Sequence, residues 1–375
     1  MQRGYLSLPN TWFTELQIIF LSLHRGLDEC LIIVVNLLRP RKTCLSAAKA
    51  AVLKLIFLDS EKLMRAVGLM EHGGPEVLQV VDVPEVQAGP GQIRIRNYAA
   101  AVNPTDVVCR NGMRAEMQKK DPPPYVPGMD AAGIVDQIGE GVTTGIKVGD
   151  RVMAMVVPNA THGAYREQIV LDQRAVVRAP ANTTHVEACT LPMNALTARL
   201  SLDLLALEPG QVLAVTGGPG AYGGYVIQLA KADGLVVIAD CSESDRALLE
   251  SLGADITISR GDGFAAKIRE HFPDGVDGLA DGALLNELAI DAVKDGGSFT
   301  AIRGFKGEQQ RDIKFTATWV SRYDGAYEKL DLLREQVEQG VLTLRVADSV
   351  SPENASIAHE RLERGGTRGR MVIEF

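Results

Sequence analysis

Cysteine is scarce and scattered: Cys30, Cys44, Cys109, Cys189 and Cys241 are the five in 375 residues, and no two stand two residues apart. That spacing excludes a zinc ribbon and a disulfide framework, leaving the reduced thiols of a cytoplasmic protein. The six histidines (His24, His72, His162, His185, His271 and His359) form no HxxxH or HExxH group, so a zinc-protease helix is excluded too. Positive charge is in deficit. A net charge of −8 repels a phosphate backbone and argues against nucleic acid as a partner. Long hydrophobic runs are also missing. Ile18–Leu21, Leu31–Val35 and Leu55–Leu58 are each cut short by charge, far from the roughly 20 apolar residues a spanning helix needs. No membrane association is expected.

What the chain does have is core material. Hydrophobic residues make up 46%, charged residues 23%, and the 37 glycines suit a turn-rich α/β architecture. The length corresponds to about two domains. Residues 1–63 read differently from the rest. Arg3 is the one early base and no single apolar core follows it, which argues against a secretory signal. Glu15, Asp28, Glu29 and Asp59 are too many acids for a transit peptide. Three readings of this segment stay open: translation starting at Met64, a short helical extension, or a weak organelle signal.

From Met64 onward, short strands alternate with Gly and Pro turns. Met64–Leu69 and Gln79–Val83 flank His72-Gly73-Gly74-Pro75, and Gln92–Arg96 alternates apolar and charged residues as a half-buried strand does. A compact β-rich lobe is expected there. Past Val186 the pattern changes. Leu191–Leu207 reads as a helix. Candidate strands Val212–Thr216, Val236–Asp240, Asp255–Ser259, Gly278–Asp281 and Ser298–Ile302 then alternate with helices Gly224–Ala232, Ser244–Leu252, Phe264–Phe272 and Asn286–Val293. Strands regularly separated by helices predict a doubly wound parallel sheet. The remainder reads as a helix at Tyr327–Gln339, a strand pair, a helix at Ala355–Arg364 and a closing strand Met371–Ile373.

The strongest chemical signal lies where Val212–Thr216 runs into Gly217, Gly220 and Gly223, with a helix opening directly after. Bare amides and the positive end of a helix dipole hold a pyrophosphate there, and glycine permits the close approach. Thr216, Gly217, Gly220, Ala221, Tyr222 and Gly223 are therefore the expected cofactor contacts. Asp240 ends the next strand, where an acid accepts from the adenosine ribose of NAD(H). Ser242, Ser244 and Arg246 offer partners for the 2′-phosphate of NADP(H), or are a helix cap. The choice between NAD(H) and NADP(H) stays open.

These residues carry a resemblance. Thr216–Lys231 is similar to the VTGAxGxVGxxxIQLAK segment of the quinone oxidoreductase branch of the medium-chain dehydrogenase/reductase family. Leu252–Asp255 resembles its LGAD, Val102–Asp106 its VNPxD, Pro127–Gly133 its PGxDxAG and Val148–Val152 its VGDRV. Ala195–Ala198 and the stretch from Ala358-His359 to Val372 are similar as well. The resemblance implies a GroES-like β-rich catalytic domain at 64–190 and 318–375, a Rossmann domain at 191–317, and a homodimer formed through the Rossmann sheet edge. It further implies a site without zinc, since zinc-dependent relatives have Cys where this chain has Asn103 and His where it has Met129. Asn and thioether sulfur are poor ligands, and Cys189 alone cannot hold a zinc ion.

Without a metal, hydrogen bonds must polarise the substrate oxygen, which suits a quinone or an enone as substrate. The resemblance places Asn103 and Thr197 near the nicotinamide, with Asp106 orienting the loop and Arg110 a further candidate. The alternatives are turn chemistry for Asn103 and Asp106 and helix packing for Thr197. Asp281 ends the fourth expected strand and Gly304 follows the fifth, both on the expected nicotinamide side. Two positions depart from the family, Val108 in place of Tyr and Tyr222 in place of Val. An enoyl-thioester reductase and a dinucleotide-binding protein without turnover are the alternatives.

Overall fold

The computed structural model describes residues 18–21, 32–35, 62–118 and 120–375. The chain divides into two units, Met1–Lys62 and Leu63–Phe375. In the first, Ile18–Leu21 and Ile32–Val35 pair antiparallel, with Ile18 opposite Val35. These two apolar runs are strands, not part of a helical extension. The run Leu55–Leu58 and the other readings of this segment fall outside the described residues.

The second unit is built on two main sheets. Seven strands form a mixed sheet around Gln92–Ala101, which pairs antiparallel with Asp130–Ile138, Gln168–Asp172 and Arg370–Glu374. Arg151–Met155 and Val176–Arg178 extend it on one side, and Val346–Val350 joins Arg370–Glu374 in parallel on the other. The expected strand pair before the last helix is thus one strand, whose partner comes from the chain's last segment. A separate hairpin, Leu63–Gly68 with Gln79–Pro84, accounts for the first two expected strands. The β-rich lobe also contains a helix that was not expected, Pro104–Arg110. Pro104 sits in its first turn, where a missing N–H costs nothing.

The six-stranded sheet is parallel throughout. Its spatial order is Ile256–Ser259, Val236–Cys241, Val212–Thr216, Val276–Asp281, Val293–Ile302, Lys314–Thr318. In chain order this is 3-2-1-4-5-6, the doubly wound Rossmann arrangement. The edge strand Lys314–Thr318 was not among the expected ones. Helices Ala221–Ala232, Arg246–Ser251 and Phe264–His271 make the crossovers. Between the fourth and fifth strands Asn286–Ala292 is a 3-10 helix, where an α-helix was expected.

One continuous apolar cluster joins the sheets. Ala99, Met153 and Val372 of the mixed sheet, Leu196 and Leu202 of helix Pro192–Leu205, and Leu213 and Val215 of the parallel sheet all belong to it. The strand order reverses between Val212–Thr216 and Val276–Asp281, where Thr216 lies opposite Asp281. A crevice beyond the C-terminal ends of these strands is where such sheets take ligands.

Candidate active site

At that crevice Gly217 adopts φ +69°, and its carbonyl accepts from Gly220 N–H at 3.0 Å. Gly220 is the N-cap of helix Ala221–Ala232 and brings no side-chain cap. The first-turn amides of a helix have no partners within it, so this terminus is open to an anion. A Cβ on Gly223 would overlap the Gly217 carbonyl oxygen and lie 2.8 Å from Gly218 Cα. Helix and turn approach so closely that only glycine fits. A pyrophosphate suits this cradle. Arg345, just ahead of strand Val346–Val350, braces it from the other sheet. Its guanidinium donates to Pro219 O at 2.9 Å, Gly220 O at 2.7 Å and Arg368 O at 2.9 Å.

Beside the turn, Asp240 is buried and its Oδ1 accepts Gly217 N–H at 2.6 Å. Burial raises its carboxyl above the ordinary range, against the pull of the Gly217 and Gly218 amides. The Ser242 hydroxyl donates to Asp245 at 2.5 Å and lies 2.9 Å from the Ser244 hydroxyl. Arg246 is turned away from these serines. It pairs with Glu243 at 2.8 Å and donates to the Thr257 hydroxyl at 2.5 Å.

Asp281 is fully buried and its carboxylate is already engaged. It accepts from the Thr216 hydroxyl at 2.5 Å and from the amides of Ala283, Leu285 and Asn286 at 3.1, 3.1 and 2.7 Å. Those amides lead into the 3-10 helix Asn286–Ala292, so Asp281 caps the segment that follows the fourth strand. The buried Tyr222 ring lies so close to Gly282 that a Cβ there would be 2.7 Å from it, and the Tyr222 hydroxyl donates to Ser201 at 2.8 Å. Ser201 continues to Thr318 at 3.0 Å, and Thr318 to Thr300 at 2.7 Å. Gly304 has φ +91°, and a Cβ there would be 2.6 Å from the Trp319 ring. Packing against Trp319 is what Gly304 serves.

In the β-rich lobe, Asn103 is fully buried. Its amide nitrogen donates to Asp130 at 2.6 Å and its amide oxygen accepts from Asn194 at 2.9 Å. Asp130 also accepts Met193 N–H at 2.7 Å, and Arg370 donates to Asn194. Burial pushes the Asp130 carboxyl up to about 7, against the Met193 and Asn103 hydrogen bonds and the Arg370 charge. Asp106 is likewise buried; it accepts Asn103 N–H at 2.8 Å, the Tyr165 hydroxyl at 3.0 Å and Gly128 N–H at 3.2 Å. Burial outweighs these bonds and lifts it to about 6. Thr197 donates back along its own helix to Met193 O at 2.6 Å.

Asn103 and Asp106 are therefore brought together, and Asn103 links through Asn194 to the helix that carries Thr197. Arg110 points elsewhere. Its guanidinium pairs with Glu363 of helix Ala355–Arg364 at 2.8 Å, and its charge adds to burial in driving buried His359 down to about 3. Sequence reasoning missed Asp130, Asn194, Arg345 and Arg370. An acid inside the apolar run Met129–Ala132 and a base inside the closing strand were visible signals, because a charge in such a run must find a partner. Among the described residues no three or more His, Cys, Asp or Glu side chains gather as a metal site. A hollow of about 290 Å³ lined by Arg96, Tyr98, Gln168 and Phe375 shares no residue with these clusters.

Residues 89–181 match the alcohol dehydrogenase GroES-like domain. The chain is 34% identical to the 2-methylene-furan-3-one reductase of Solanum lycopersicum over 87% of its length and 82% of the relative's. It is 32% identical to a chloroplastic NADPH-dependent alkenal/one oxidoreductase of Arabidopsis thaliana, over 69% and 67% of the two chains. The solved quinone oxidoreductase of Coxiella burnetii superposes with a TM-score of 0.76 at 27% identity, over 84% of this chain and 100% of that one.

Proposed function

The chain belongs to the medium-chain dehydrogenase/reductase superfamily and is an NAD(P)H-dependent oxidoreductase, and on that premise we propose that it reduces quinones or α,β-unsaturated carbonyls without a metal. The observation that carries this reading is the uncapped helix terminus behind a glycine turn at the sheet's reversal point. When bound, the cofactor supplies a hydride from its nicotinamide. The turn from Thr216 through Gly217, Gly220, Ala221, Tyr222 and Gly223 holds the pyrophosphate, and Asp240 takes the adenosine ribose. Asp281 acts indirectly, fixing Thr216 and the segment after the fourth strand as the floor of the nicotinamide side.

On the substrate, that hydride would add to a carbon conjugated with a carbonyl, the displaced π electrons would move to the oxygen, and solvent would supply the proton. Asn103, Asp106 and Thr197 are positioning residues in this account, since their polar groups are occupied within the protein. They hold the loop and helix that border the substrate. Arg110 belongs to the packing of the last helix.

The metal-free reading draws on donor chemistry. Both polar atoms of the Asn103 amide are occupied, and the Met129 thioether accepts from the Thr105 hydroxyl at 3.0 Å. Burial holds the Cys189 thiol well above its ordinary pKa, which disfavours the thiolate a zinc ion needs. The open edge strand Lys314–Thr318, with Trp319 43% exposed beside it, supports a homodimer formed through that sheet edge. The buried free thiols Cys109, Cys189 and Cys241 support a cytoplasmic location. Among the described residues no helix is long and apolar enough to cross a membrane.

A panel of quinones and enones, assayed for NADH and NADPH oxidation before and after chelation, tests this reading. Turnover that survives chelation is expected. Binding of dinucleotide with no turnover on any of them, or activity restored only by added zinc, overturns it.

A further inference from the structure

Asp245 lies just beyond the second parallel strand, where the loop turns into helix Arg246–Ser251, and it is 6% exposed. Arg368 grips both of its carboxylate oxygens, Nη2 reaching Oδ2 at 2.7 Å and Nε reaching Oδ1. The Ser242 hydroxyl donates to Oδ2 at 2.5 Å, and Arg260 Nη2 stands 3.7 Å from the same atom. These partners come from three places. Ser242 follows the second strand, Arg260 follows the third, and Arg368 comes from the segment before the last strand of the mixed sheet. Burial works against a charge on Asp245, yet the hydrogen bonds from Arg368 and Ser242 and the two guanidinium charges leave its carboxyl below the ordinary range. It is an ionised carboxylate inside a cage of donors.

The position gives the cage its meaning. Asp240, the acid of the adenosine ribose in the proposed function, ends the strand that leads into this loop. In dinucleotide folds the ribose 2′ position is read just there, by an acid for a free hydroxyl or by Arg for a phosphate. Two guanidiniums and a serine hydroxyl are the donor set that a phosphate monoester takes. In this chain one of its own carboxylates already occupies that set. Arg246, the base nearest in sequence, is held by Glu243 and Thr257 and does not add to it.

We propose that Asp245 is a specificity-determining residue: an internal anion in the place of a 2′-phosphate, which makes the chain select NAD(H) over NADP(H). This rests on the dinucleotide reading of the crevice given above. A 2′-phosphate must displace a buried carboxylate from Arg368, with Asp240 near in sequence as a further like charge. A 2′-hydroxyl meets no such obstacle.

The test compares kcat/KM for NADH and NADPH in the full chain and in Asp245→Ser, which removes the charge and leaves the guanidiniums free. The wild-type ratio should favour NADH by about tenfold or more, and the variant should move the ratio toward NADPH by roughly 10- to 100-fold. Adding Arg260→Ala and Arg368→Ala to Asp245→Ser should cancel that shift. An unchanged ratio in Asp245→Ser, with both nucleotides still turned over, overturns the inference and leaves the proposed function standing. Failure of the wild type to bind either nucleotide overturns the proposed function itself. Should Asp245→Ser not fold, competition on the wild type decides. 5′-AMP, which differs from 2′,5′-ADP only at the 2′ position, should bind about tenfold more tightly than 2′,5′-ADP, and equal or tighter binding of 2′,5′-ADP contradicts the inference.

Discussion

Replacing Gly223 with alanine isolates the close approach on which the cofactor cradle depends. The added carbon would overlap the Gly217 carbonyl oxygen and stand 2.8 Å from Gly218 Cα and 2.9 Å from the Gly217 carbonyl carbon. All three obstacles are backbone, so no side chain can swing aside. Either the helix or the turn must move. Overpacking of this kind costs about 1–3 kcal/mol. Against it, exchanging Gly for Ala within a helix stabilises by about 1 kcal/mol, so the melting temperature should change little. The displaced turn, in contrast, lowers dinucleotide affinity by the full distortion, roughly 5- to 150-fold at 1.4 kcal/mol per decade. Gly220→Ala is the matched control. Its Cβ meets one close atom, Gly217 O at 3.1 Å, and a few tenths of an ångström of give should hold the loss to less than that of Gly223→Ala. Fluorescence titration with NADH and NADPH, alongside thermal melting, reads both quantities. Unaltered affinity in a folded Gly223→Ala protein would refute the reasoning.

Other substitutions probe the supports of the site. Asp281→Asn leaves one acceptor oxygen for the Thr216 hydroxyl and three backbone amides; urea denaturation should show a loss of about 1–3 kcal/mol, and equal stability contradicts the assignment. Arg345→Met frees three carbonyls at and beside the turn, and dinucleotide Kd should rise about tenfold by loss of bonds from a charged donor; an unchanged Kd removes Arg345 from the cradle. His359, held near 3 against an ordinary 6.5, is kept neutral by the fold, so its contribution is complete above pH 6.5 and is lost as pH falls toward 3. Relative to wild type, His359→Gln should therefore gain stability as pH drops across that window, while a difference that stays constant with pH argues against the buried neutral imidazole. Asp106 and Asp130, raised to about 6 and about 7, act in the opposite sense between pH 4 and 7, which is why the difference between the two proteins is the quantity to follow.

Local pattern made part of this molecule legible. Val212–Thr216 was read with its observed boundaries because an apolar run ends at a glycine triplet, and Ala355–Arg364 because its helical periodicity is strong. Lys314–Thr318 escaped because Lys-Phe-Thr-Ala-Thr has little apolar contrast, and its pairing partner Val293–Ile302 supplies what the sequence does not. The helix Pro104–Arg110 escapes a reading by pattern because Asn-Pro introduces both turns and helices. Asn286–Ala292 is a 3-10 helix, and Asp281 holds the amides that lead into it, a contact that no periodicity records.

The site divides in the same way. The glycine turn is a local motif and was readable as one. Asp130, Asn194, Arg345 and Arg370 act through partners 23 to 176 residues away, and pairing at that range follows from the fold. Ser242, Asp240 and Arg246 are close in sequence, yet Arg246 turns toward Glu243 while Arg260 and Arg368 arrive from other strands. Charge type was legible there, and direction was not.

The most direct measurement follows deuterium from nicotinamide C4 into an enone. Enzyme, 4,4-dideuterated NADH or NADPH and a small α,β-unsaturated ketone are incubated with a chelator, and the product is examined by NMR. Deuterium on the carbon β to the carbonyl, one atom for each cofactor oxidised, is the predicted result. A saturated product without deuterium, deuterium on the carbonyl carbon of an alcohol, or no consumption of cofactor with any enone or quinone would contradict the account.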